Sequence, residues 1–68
     1  MDMNKAIDVF GINRTKEEVE NLVAALKLFR SLNTPEENEK LAAGEYVLEH
    51  WKTFQSETAR RRNTKGVA

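Results

Sequence analysis

The stretch Leu32-Asn33-Thr34-Pro35-Glu36-Glu37 constrains the fold more than any other part of the chain, because a helix stop and a helix start meet there. Thr34 offers a hydroxyl to an orphan backbone N–H of the following helix. Pro35 has the φ that a first helical position requires, and Glu37 can reach back to complete a capping box. Pro35 also disfavours helical geometry at Thr34, which excludes one continuous helix through this point. The chain must turn a corner, and the sequence on both sides of it is helix-like.

A second capping box, Thr15-Lys16-Glu17-Glu18, opens the helix before the corner, predicted over about residues 16–32. Stepping by about 100° per residue puts Val19, Leu22, Val23, Ala25, Leu26, Phe29 and Leu32 on one broad side, while Glu20, Ala24, Lys27 and Ser31 take the other. After the corner no breaker occurs until the tail, so the next helix is predicted over about residues 35–58. Its apolar arc holds Leu41, Ala43, Gly44, Val47, Leu48, Trp51 and Phe54, with Glu45, Glu49, Lys52 and Thr53 facing away. A glycine inside a helix costs about 1 kcal/mol relative to alanine, so Gly44 is expected to permit close approach of another backbone. A short first helix over residues 3–10 is capped by Asp2 and stopped by Gly11, with Ile12 folded back on Ile7 in a Schellman motif. The starts of the two longer helices match at an offset of nineteen residues, a pattern that shared capping chemistry produces as readily as duplication.

The fold class read from these signals is all-α: a short N-terminal helix plus a helical hairpin, one domain over residues 1–58 with a flexible basic tail over 59–68. At 68 residues, with no cysteine and a single histidine, neither disulfides nor a thiolate zinc site can supplement a small core, and a metal site would have to be built from carboxylates. Tight packing and self-association are the remaining sources of stability. Two helices with broad apolar arcs cover each other only in part, which predicts a homodimer resembling a four-helix bundle. Phe29, Gly44, Val47, Trp51 and Phe54 are its candidate interface, and Tyr46, on the other side of its helix, is a candidate partner surface or a contact for the first helix.

Net charge is zero but unevenly spread, since residues 1–55 carry ten acids against seven bases and residues 56–68 one acid against four. Arg60, Arg61, Arg62 and Lys65 are therefore candidate phosphate contacts, able to release counterions from a nucleic acid. A helix-turn-helix reader does not fit: helices opening on Glu17-Glu18 and on Glu36-Glu37-Asn38-Glu39 would present carboxylates to phosphates. No aromatic residue is interleaved with the arginines in sequence, which argues against a base-stacking platform. Glu45, Glu49 and His50 are expected at the surface, and no nucleophile-base pattern, phosphate loop or metal-ligand spacing is present, so neither enzyme activity nor a cofactor is expected. No stretch reaches the length of a membrane span, and a cytoplasmic location is expected. The function expected is that of a small protein-interaction module, an adaptor or regulator; the alternative is a nucleic-acid-associated protein that grips phosphates with its basic tail.

Overall fold

The computed structural model describes the backbone of residues 1–67 and the side chains of residues 1–63. Among them it is all-helical: α1 (Met3–Phe10), α2 (Lys16–Leu28), a 3₁₀ turn (Arg30–Leu32), α3 (Pro35–Glu49) and α4 (Trp51–Val67). The body is elongated, 44 × 20 × 16 Å.

Each start is built as its sequence dictates. The Asp2 carboxylate accepts from the Lys5 N–H at 2.8 Å at the head of α1. Both capping boxes are closed in both directions. Thr15 Oγ1 accepts from the Glu18 N–H at 3.2 Å while Glu18 Oε1 accepts from the Thr15 N–H at 3.1 Å. Thr34 Oγ1 and Glu37 repeat the arrangement at 3.2 and 3.0 Å. The α1 exit is also glycine-dependent, though not by the expected Schellman geometry: Gly11 has φ +80° and ψ −175°, a region open essentially to glycine alone. Its N–H donates to the Ile7 carbonyl.

The capping boxes make a pH prediction. The backbone N–H and then the hydroxyl of Thr15 hold the Glu18 carboxyl below its ordinary value of 4.5, and Thr34 does the same for Glu37. A depressed folded-state pKa contributes stability above the unfolded value, and that contribution disappears as pH falls through the folded one. Urea midpoints should therefore hold steady from neutrality to about pH 5 and drop below it. Glu18→Gln with Glu37→Gln, which keeps an acceptor but cannot titrate, should flatten the drop; an unchanged acid limb would show that other groups set it.

The helix ends depart from expectation in two places. The first is α2, which stops at Leu28 rather than near residue 32. Asn33 Nδ2 donates to the Leu26 carbonyl at 2.8 Å, and the Leu32 N–H donates to the Phe29 carbonyl at 2.9 Å, so the last turn tightens to 3₁₀. The second is the predicted helix over 35–58, which is interrupted at His50 (φ −116°, ψ 42°) and continues as α4. Hydrogen bonds are kept on both sides, His50 N–H to the Tyr46 carbonyl and Phe54 N–H to the His50 carbonyl, each 3.0 Å. Residues 59–63, expected in a flexible tail, belong to α4.

One core unites all four helices. It comprises Ala6, Ile7 and Phe10 of α1, Val19, Val23 and Leu26 of α2, Leu41, Ala43 and Val47 of α3, and Phe54 of α4. α1 packs on α3, and α4 packs on both α1 and α3. The apolar strips that the hairpin leaves open are thus filled by α1 and α4 from the same chain. Gly44 explains how three helices fit: a Cβ there would overlap Val23 Cγ2 and lie 3.3 Å from Phe10 Cζ, so the missing methyl is the space into which α1 and α2 pack. Thr58, the one buried polar residue among those described, satisfies its hydroxyl on the Phe54 carbonyl at 2.8 Å.

Candidate functional site

The five residues expected at an interface divide. Gly44, Val47 and Phe54 are buried within the chain, Val47 completely and Phe54 to 1% exposure, so they serve its own core and not a second copy. Trp51 is half-buried and stacks on Phe54 with ring centroids 5.2 Å apart. Phe29 alone is fully at the surface. Tyr46 is half-buried against the core cluster, its ring 4.6 Å from that of His50.

Phe29 has company that the sequence did not single out. Leu28 is 76% exposed, Phe29 55% and Leu32 77%, three large apolar side chains within five residues at the corner. Helical stepping put Phe29 and Leu32 on the buried arc; because α2 ends at Leu28, that stepping no longer applies to them. The surface is not frayed. The Asn33 side chain and the 3₁₀ bonds fix its backbone, and Glu45 of α3 lies 3.8 Å from Lys27 and 3.9 Å from Arg30 beside it. These exposed ion pairs contribute little stability, but they set a polar border to an apolar patch.

The basic run has become part of the fold. Arg61 Nη2 donates to Asn4 Oδ1 at 2.7 Å and Arg61 Nη1 lies 4.0 Å from Asp8, both on α1. Arg62 Nη1 donates to the Ile12 carbonyl at 2.7 Å, just past the α1 exit, and Arg60 pairs with Glu57. The side chain of Lys65 lies outside the described residues. Three of the four expected phosphate contacts thus have intramolecular partners, and two of them fasten α4 to α1.

Trp51 stands where the fold brings together residues far apart in sequence. A hollow of about 470 Å³ between α4 and the link preceding α2 is lined by Arg14, Lys16, Trp51 and Arg62, together with the buried Phe54 and Thr58. Arg14 is anchored there by its Nε bond to the Phe10 carbonyl at 3.3 Å and by Glu18 at 3.6 Å. Sequence order separates these cations from the indole by up to 37 positions, and no local pattern could have joined them.

Among the described residues no group of three or more His, Asp or Glu is placed to share a metal ion, and no helix is long and apolar enough to cross a membrane. The chain matches no family model, no curated protein and no solved structure.

Proposed function

We propose that the chain is a small, non-enzymatic interaction module that docks a protein partner on the corner between α2 and α3. The observation that carries this reading is the ordered exposure of Leu28, Phe29 and Leu32, 55 to 77% accessible on a backbone fixed by side-chain and 3₁₀ hydrogen bonds. Apolar side chains clustered at a surface and rimmed by polar groups mark interaction sites. The two carboxylates with displaced pKa values, Glu18 and Glu37, are displaced by helix capping, a structural use. A cytoplasmic location belongs to the same reading, since four helices sharing one core close the fold without a disulfide.

A second copy of the chain is one partner able to cover the patch, and the homodimer expected from the sequence would then pair through the corner. Replacing Leu28, Phe29 and Leu32 together by serine should leave helicity and the urea midpoint within about 0.5 kcal/mol of wild type, as surface substitutions do. The same variant should release whatever partner the wild type retains, including itself in sedimentation equilibrium. A wild-type protein that is monomeric at high micromolar concentration removes the homodimer. Undiminished recovery of the same partners by the triple variant removes the corner as the docking surface.

A further inference from the structure

The hollow beside Trp51 supports a site distinct from the corner. Its lining contains no carboxylate, although the chain as a whole carries as many acids as bases. Three cations face it from two segments: Arg14 and Lys16 from the link and the first turn of α2, and Arg62 from α4. They differ in how they are held. Arg62 spends one nitrogen on the Ile12 carbonyl and Arg14 spends Nε on the Phe10 carbonyl, bonds that fix each guanidinium in place and leave further N–H donors. Lys16 has no ion pair or hydrogen bond from its ammonium among the described residues. Glu18 divides its carboxylate, Oε1 accepting from the Thr15 N–H and hydroxyl and Oε2 lying 3.6 Å from Arg14 Nη1. Arg14 is thus partly compensated, while Lys16 and Arg62 face the hollow without a carboxylate partner among the described residues. Trp51 stacks on Phe54 and also lines an adjoining hollow that contains Lys16, Lys52 and Glu49. A supported indole beside two fixed guanidiniums and one unpaired ammonium has the two elements that a nucleotide unit requires, a π-face for the base and positive charge for the phosphate. The hollow's volume is also within the usual range for small-ligand sites.

We propose that this hollow binds a nucleotide unit, with the base against Trp51 and the phosphate on Arg14, Lys16 and Arg62. Free nucleotides and single-stranded nucleic acid share that chemistry, and they can be told apart. Trp51 is the only tryptophan of the chain, so its fluorescence reports occupancy directly. At low salt, oligo-dT of eight nucleotides should quench it saturably, with log affinity falling against log salt at a slope of about −2 for three cations on a single strand. Saturable quenching by AMP or ADP as well would assign the site to free nucleotides; quenching by the oligonucleotide alone would assign it to a strand.

Lys16→Glu is the informative variant. It reverses a charge at the first position of α2, where a carboxylate favours the helix, so lost binding could not be ascribed to lost folding. Affinity should fall about tenfold or more and the salt slope should flatten by about 0.7. Lys40→Glu, which lines a separate hollow with Val9, should bind as wild type does. The proposal is overturned if oligo-dT leaves the fluorescence unchanged at low salt, or if Lys16→Glu binds undiminished. It is equally overturned if inorganic pyrophosphate or a polyglutamate peptide binds as tightly as the nucleotides, since the site would then select charge without a base.

Discussion

Phe54→Ala should unfold most of the protein at physiological temperature. Phe54 is the largest fully buried side chain and the contribution of α4 to the core, at 1% exposure. Truncating a buried phenylalanine costs about 3–5 kcal/mol, and a domain of this size has a total stability of roughly 3–10 kcal/mol. The substitution also removes the ring on which Trp51 stacks. Far-UV circular dichroism should show a large loss of helicity at 37 °C, and Phe54→Leu, which restores most of the volume, should recover most of it. The same experiment separates two roles for this residue. In an intermolecular interface its loss would yield a well-folded monomer, so a helical Phe54→Ala protein with a wild-type melting temperature would remove Phe54 from the core.

Gly44→Ala should destabilise, against the usual direction for that change within a helix. Helix propensity favours alanine by about 1 kcal/mol, but the new methyl would overlap Val23 Cγ2 and press on Phe10 at 3.3 Å. Overfilling a packed core costs about 1–3 kcal/mol, and neither neighbour can withdraw without moving α2 or α1. The expected net effect is a loss of up to about 2 kcal/mol in urea unfolding. Trimming the opposing group should relieve it. Val23→Ala combined with Gly44→Ala should be more stable than the two single losses add up to, by more than about 0.5 kcal/mol. Additive losses, or a more stable single variant, would mean that the three helices are not in contact at Gly44.

The two substitutions mark how far the sequence could be read. The starts of α2 and α3 were legible to the residue, because Thr15, Glu18, Thr34, Pro35 and Glu37 act through neighbours three positions away, whereas that of α4 was not. The apolar arcs were legible for the same reason: Val19, Val23, Leu26, Leu41, Val47 and Phe54 all lie where helical stepping puts them. What covers those arcs was not. Periodicity shows that a face is buried but not by which element, and a short first helix with three core residues was enough to occupy the place given to a second copy. The interruption at His50 left no local mark, as neither glycine nor proline is near it. It accompanies the docking of α4 on α1, a contact between distant parts of the chain. The candidate sites divide likewise. Phe29 was found from its type, Leu28 and Leu32 needed the true end of α2, and the grouping of Arg14, Lys16 and Arg62 around Trp51 required the fold itself.

The clasp of α4 on α1 has a consequence for how the molecule is made. Arg61 reaches Asn4 across 57 positions and Arg62 reaches Ile12 across 50, whereas α2 and α3 meet across a corner of a few residues. Closing a long loop is entropically later than closing a short one. The hairpin can therefore form early in folding, and the clasp closes last. Until it does, α1 has only the hairpin to lean on, and the strip that Phe54 covers in the finished core stays open to water.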